Sequence, residues 1–230
     1  DFDLLLTGHQ HMAVEGVELS GTYAVQPPAN AGQFLHIIGQ WDGTGSQIHS
    51  RLMSVGATHD AEPYQSLLPL ENAVQNWLDQ PIGVLSQSIP PEGKLEAAVH
   101  GSQVAALFNQ VQLAETGADF SCTSLGNDPV GLASPVTMRG VTAAYLFANT
   151  LVVLEVTAEV LRQTLERCAA YFTLVNGQPQ ISEEFLLPKV EHYNYDFYAG
   201  LSYTFVLRRS VGSRVIHLTK VDGSPLGSGK

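Results

Sequence analysis

His9 and His11, two residues apart in Gly8-His9-Gln10-His11, can turn two imidazole nitrogens toward one point. A neutral imidazole suits Zn²⁺, Mn²⁺ and similar ions as a ligand. The run Asp1–Thr7 just before them is apolar at successive positions in Leu4-Leu5-Leu6, which predicts a buried strand of the parallel-sheet type. In layered α/β folds metals and substrates sit just past the C-terminal ends of such strands. On spacing alone the pair also reads as two plain loop histidines. A hydrolytic centre needs more carboxylates or histidines, and the rest of the chain supplies no such set.

The surrounding pattern is β-rich up to about residue 60. Short strands are expected at Gly16–Leu19, Thr22–Gln26, Gln33–Ile38 and Ser46–Met53, separated by Gly, Pro and Asn. Asp42-Gly43 signals a hairpin turn, and His36 and His49 read as outward strand residues. Between Pro63 and Gln80, Leu67, Leu70, Val74, Trp77 and Leu78 recur at helical spacing. Pro69 places the regular start of that helix near Leu68 to Leu70.

Beyond the helix, a short strand is expected at Val84–Ser88 and a turn at Pro90–Gly93. A helix follows from about Ser102, its N-cap, to Leu113, and Thr116-Gly117 closes that segment. Ala118–Leu125 and Leu151–Val156 read as strands, the second buried. Thr157 caps a helix running to about Phe172, with Arg162 and Glu166 spaced as an i,i+4 ion pair. Asn176-Gly177 marks a turn, and Tyr203–Arg208 and Arg214–Thr219 alternate as strands. Tyr193, Tyr195, Tyr198 and Tyr203 read as packing rather than as a stacking platform.

With 230 residues, 44% of them hydrophobic, the chain can build one or two packed domains. Its formal net charge of −11 argues against nucleic-acid polymers as partners, because phosphate binding needs clustered Lys and Arg. Small anionic substrates stay open, since metal ions can neutralise them locally. No run is long and apolar enough to span a membrane. Cys122, in an expected strand, and Cys168, on an apolar helix face, read as two buried thiols.

Four blocks, in order, resemble the calcineurin-like metallophosphoesterases of the 5'-nucleotidase and 2',3'-cyclic-nucleotide 2'-phosphodiesterase branch. Gly8-His9-Gln10-His11 resembles the last metal motif of that family, and Gly21–Pro27 with Gly32 resembles the strand–turn–strand that follows it. Tyr145-Leu-Phe147-Ala-Asn149-Thr-Leu resembles a Tyr-Pro-Tyr-Pro-Asn-Thr-Leu segment of the C-terminal domain, and His192–Tyr203 resembles another of its blocks. The family's earlier metal motifs, and a later Gly-Gly-rich block with a second stacking aromatic, do not occur here. The chain is therefore expected to be an internal piece, inactive by itself. A Gly-Gly-Ile-Arg common in the 5'-nucleotidases is also missing near Gly126–Pro129, and Arg139 stands elsewhere in the pattern. That departure leans toward the cyclic-phosphodiesterase branch.

The resemblance implies an α+β chain. Residues 1–62 would end a four-layer α/β metallophosphoesterase domain, 63–82 would form a linker helix, and 83–230 a 5'-nucleotidase C-terminal substrate-binding domain incomplete at its end. It implies that His9 and His11 each serve one ion of a pair of divalent metals, Zn, Mn or similar, and that Phe147 stacks on a base beside Asn149. No side chain of this piece is assigned a catalytic role. The full-length protein would hydrolyse 2',3'-cyclic nucleotides and nucleoside monophosphates in an extracellular, cell-surface or periplasmic setting. The rival implication is a non-catalytic nucleotide-binding module with a vestigial metal site.

Overall fold

Alternating and β-branched runs broken by Gly, Pro and Asn make the first part of the chain all strand. In the computed structural model, which describes residues 2–56, 58 and 60–227, these are β1 (Leu4–Leu6), β2 (Val14–Leu19) and β3 (Thr22–Gln26). β4 (Gln33–Trp41) and β5 (Ser46–Ser54) follow. Asp1 of the expected first strand, Ala57 and His59, and residues 228–230 of the expected second domain lie outside the described residues. The chain divides into two compact units, Asp1–Leu70 and Glu71–Lys230.

In the first unit β3 is the centre of a three-stranded sheet, parallel to β1 and antiparallel to β2. Ala24, Val25 and Gln26 of β3 are buried. β1 has the expected parallel pairing but not the expected burial: Leu5 and Leu6 are exposed, because β1 is an edge strand and lacks cover on both faces. β4 and β5 form a nine-pair hairpin around the Asp42 turn, where the Asp42 carboxylate accepts from the backbone N–H of Thr44 and Gly45. His36 and His49 point outward and are exposed. The Tyr23 hydroxyl reaches Ser50 Oγ at 2.9 Å, and its ring lies where a side chain on Gly16 would stand. A Cβ on Gly16 would collide with that ring, so a larger residue there would require the Tyr23 side chain to move.

α1 (Ala61–Leu78) starts well before the expected Leu68, with Pro69 inside it. Proline removes one i to i−4 bond, and a helix of 18 residues survives that loss. The second unit then runs through β6 (Pro81–Gly83), α2 (Lys94–His100), α3 (Gln103–Thr116), β7 (Ser121–Ser124), β8 (Val136–Thr137) and α4 (Met138–Ala144). α5 (Ala158–Ala169), β9 (Phe172–Val175), β10 (Gln178–Ile181), β11 (Asp196–Ala199), β12 (Leu201–Phe205) and β13 (Val215–Lys220) complete it. Its sheets are two-stranded pairs: β6 with β8, β7 with β11, β9 with β10, and β12 with β13. The fold is mixed α+β.

Local capping signals set the helices of this unit. Ser102 Oγ accepts from the backbone N–H of Ala105, and Gly117 ends α3 in the left-handed region at φ 66°. Thr157 caps α5 in the same way, through Val160 N–H. α5 buries Leu161, Leu165, Cys168 and Ala169, and Cys168 shares a core with Tyr171, Phe172, Phe185 and Tyr195. Asn109, buried in α3, donates to Phe197 O at 2.9 Å and accepts from the Ser121 hydroxyl at 2.8 Å, which docks the helix on β7 and β11.

Three further local expectations fail in the second unit. Val84–Ser88 is not a strand; the pairing falls earlier, at β6. Leu151–Val156 forms neither a strand nor a buried segment: Leu151, Val152, Val153 and Leu154 are all exposed, and no neighbouring strand pairs with them among the described residues. Arg162 and Glu166 do not pair with each other. Arg162 donates to Val215 O at 3.0 Å, and the Glu166 carboxylate accepts the backbone N–H of Arg214 and Val215 at 2.9 and 2.7 Å.

Candidate metal-ligand loop and nucleoside platform

The Gly8–His11 loop leaves β1 with its backbone wound left-handed. His9 sits at φ 73° and His11 at φ 56°, a region that non-glycine residues enter only at a cost. The loop is fastened at both ends. Thr7 N–H and Oγ1 both donate to Val25 O at 2.9 Å, and the buried Gln26 side chain donates to Met12 O at 2.7 Å. Gln10 N–H closes on Gly8 O at 2.9 Å. Both imidazoles are exposed on this held loop. Two nitrogen donors on a strained, anchored turn fit a divalent ion in donor type. Among the described residues, no three His, Cys, Asp or Glu side chains gather as a metal cluster.

In the second unit the chain leaves α4 through Tyr145, whose ring stands edge-on to Phe108 with centroids 5.4 Å apart. Tyr145 packs on Phe108 by one edge and also stays partly exposed. Two positions on, Phe147 is 64% exposed. Asn149 N–H folds back on Phe147 O at 2.8 Å, so the two expected substrate contacts share one tight turn. The apolar neighbours of Phe147, Leu146 and residues 151–154, are exposed as well.

Beside that turn runs a groove of about 500 Å³, whose walls include Ser121 and Thr123 of β7, Asn149, Val153, Asp196 and Tyr198. A larger hollow of about 590 Å³, lined by Phe172, Tyr203 and Phe205 among others, contains none of the four candidate site residues His9, His11, Phe147 and Asn149. The two histidines and the Phe147–Asn149 pair belong to different units, and each pair lies within a single loop.

Asp196 is a groove residue that the sequence reading misses, although an acidic residue inside the aromatic run Tyr193–Tyr198 is a usable signal. Burial lifts its carboxyl above the ordinary 3.8. The folded state then binds this proton more tightly than the unfolded chain, so the stabilisation is complete below 3.8 and is lost as pH rises through the folded value. Asp196→Asn is therefore expected to raise the melting temperature at pH 7, with the gain shrinking as the pH is lowered toward 3.8. Thermal denaturation at the two ends of that range checks it; an unchanged or lower melting temperature at pH 7 contradicts it.

Both cysteines are free thiols. Cys168 is buried and its thiol is pushed up to about 12, chiefly by desolvation. Cys122, expected to be buried, is exposed, because it lies on the outward phase of β7 between inward Ser121 and Thr123. Desolvation around its sulfur and the nearby Asp196 still raise its pKa. The tyrosines Tyr195, Tyr198 and Tyr203 are likewise raised by burial, as packing residues are. Arg139 donates to Asp79 at 2.7 Å and to Gln75 at 2.6 Å, tying α4 to the end of α1.

Residues 81–230 match the family model of the 5'-nucleotidase C-terminal domain. The chain belongs to this family. The loop carrying Phe147 and Asn149, the groove and Asp196 all fall inside the matched 5'-nucleotidase C-terminal domain. A 2',3'-cyclic-nucleotide 2'-phosphodiesterase/3'-nucleotidase of Haemophilus influenzae is 25% identical over 176 residues, covering 66% of this chain and 26% of that protein. A Staphylococcus aureus protein described as a 5'-nucleotidase, solved in complex with α-ketoglutarate, superposes with a TM-score of 0.85 at 29% identity. That match covers 99% of this chain and 45% of the other. A 5'-nucleotidase precursor of Thermus thermophilus shares the fold, with a TM-score of 0.55 at 20% identity over 98% of this chain and 46% of its own. The chain thus spans about a quarter of the curated relative and under half of the solved structures. No helix among the described residues is long and apolar enough to cross a membrane.

Proposed function

We propose that this chain is part of a metal-dependent phosphoesterase that hydrolyses 2',3'-cyclic nucleotides and nucleoside monophosphates. The observation that carries the reading is Phe147. It is an apolar ring presented to solvent at a tight turn, within a 5'-nucleotidase C-terminal domain. Phe147 takes the base on its face, a contact that contributes about 1–3 kcal/mol and accepts different bases. Asn149 supplies the polar contact beside it. The name of the Haemophilus relative supports the cyclic-nucleotide substrate class.

His9 and His11 would hold divalent metal, one imidazole to each of two ions, with further ligands from outside this chain's own set. Bound there, such ions supply polarisation of the phosphoryl oxygens and activation of water. The chain's own contribution at that end is to hold two neutral imidazoles on the turn fixed by Thr7 and Gln26. In this reading residues 1–62 close a metallophosphoesterase domain, 63–82 link, and 83–230 bind the nucleoside. The setting is extracellular, cell-surface or periplasmic.

Metal content of the full-length protein after dialysis tests the ligand assignment. Two tightly held Zn or Mn ions per chain are expected, with His9→Ala and His11→Ala each lowering the content while the melting profile of the second unit stays in place. Unchanged content in both variants would remove His9 and His11 from the ligand set.

A further inference from the structure

Phe147 rests, through its neighbour, on a turn that one side chain fastens to the core. Leu146 lies over Gly126: a Cβ built on that glycine would come 3.3 Å from Leu146 Cδ1. Leu125, just before it, is buried with Val104 and Ala105, and Ala144 at the end of α4 packs against that cluster. Leu125-Gly126 is thus the seat for residues 144–146. The next residue, Asn127, spends both ends of its side chain on the segment 190–192. Its Nδ2 donates to Val190 O at 2.8 Å, and its Oδ1 accepts from His192 N–H at 2.9 Å. His192 Nδ1 in turn shares a 2.7 Å hydrogen bond with the hydroxyl of Tyr171, which is 1% exposed.

We propose that Asn127 is a positioning residue for the base platform. It locks the Gly126 seat to the Tyr171–His192 anchor, so that Leu146 and the ring of Phe147 are held in one orientation. The inference rests on the base-stacking reading of Phe147. Asparagine suits the task because one planar amide must accept from an N–H and donate to a carbonyl at once. Asn127→Asp would keep the accepting bond and lose the donating one. Alanine loses both, and the seat is freed. Stacking depends on ring placement, and a shift of about 1 Å in a positioning element is enough to weaken it.

Adenosine, which carries no phosphate, reads the platform alone. By calorimetry on the full-length protein, Asn127→Ala is expected to weaken adenosine binding about 3- to 30-fold, the equivalent of one or two ordinary hydrogen bonds. Asn127→Asp should fall between it and the parent. In turnover of 2',3'-cyclic AMP the Michaelis constant should rise while kcat is held. Gly126→Ala leaves both Asn127 bonds in place but crowds Leu146, and should produce the same split. It serves if Asn127→Ala does not fold. Adenosine affinity equal to the parent in both variants overturns the proposal, as does an equal loss of kcat with a collapsed melting temperature. Phe147→Ala separates the two ideas. If it weakens adenosine and the Asn127 and Gly126 variants do not, the platform stands and the positioning role falls. If Phe147→Ala itself leaves adenosine binding intact, the platform reading falls and takes the positioning role with it.

Discussion

Phe147→Ala in the full-length protein is expected to cut kcat/KM for 2',3'-cyclic AMP by roughly 5- to 150-fold, the loss of about 1–3 kcal/mol of stacking. Most of that should appear in the Michaelis constant. In the proposed reading the ring holds the remote part of the substrate, whereas bonds to phosphorus are made and broken at the metal end. A small phosphodiester without a base should be hydrolysed almost as before. Phe147→Tyr keeps the aromatic face and should be nearly silent. The exposure of the ring makes the alternative, a core phenylalanine, easy to separate. A core residue that is 64% exposed has little burial to lose, so Phe147→Ala should leave stability almost unchanged. Equal damage to nucleotides and to the base-free diester would remove the stacking assignment.

Arg214→Met is expected to destabilise the protein by about 2–5 kcal/mol, the cost of leaving several buried carbonyls without donors. Arg214 is buried, and its guanidinium donates to Ala169 O at 2.8 Å, Phe172 O at 2.7 Å and Arg209 O at 3.1 Å. Ala169 is the last residue of α5, so the cation also sits where the helix dipole favours positive charge and the terminal carbonyls lack partners. Its backbone N–H meanwhile binds Glu166 of the same helix. One residue therefore stitches α5 to β13 from both main chain and side chain. Methionine fills the volume without the donors. Arg214→Lys should recover only part of the loss, because an ammonium cannot reach three carbonyls with a planar fork. Urea denaturation measures both. A loss below about 1 kcal/mol for Arg214→Met would mean water takes over the carbonyls.

The features read correctly from the sequence are those with local causes. Ser102, Gly117 and Thr157 cap helices through bonds to residues three or four positions away. Asn176 and Gly177, at φ 53° and 78°, turn β9 into β10 as such a pair should. Failures follow where distant partners decide. Leu151–Val156 has strand composition, but a strand needs an edge to pair with, and no periodicity reveals whether one is present. Arg162 and Glu166 have ion-pair spacing, yet the arriving β13 offers both of them backbone partners. α2 leaves little trace in the sequence because it is only seven residues long and opens at Gly93 without a side-chain cap.

The candidate sites divide the same way. His9, His11, Phe147 and Asn149 are candidates chosen by residue type and family pattern, whereas what holds them is not visible in the sequence. The left-handed backbone at both histidines, the Gln26 bond to Met12 O, and the turn of Asn149 onto Phe147 all arise from placement. Asp196 enters the groove for the same reason, through the pairing of β11 with β7.

Turnover of 2',3'-cyclic AMP by the full-length, metal-loaded protein tests the central claim most directly, with His9→Ala and His11→Ala assayed beside it. Hydrolysis by the parent is expected, with loss of most of it in each variant and adenosine binding retained because Phe147 is untouched. A parent that binds adenosine but leaves the cyclic nucleotide intact, or histidine variants that turn it over at the parental rate, would contradict it.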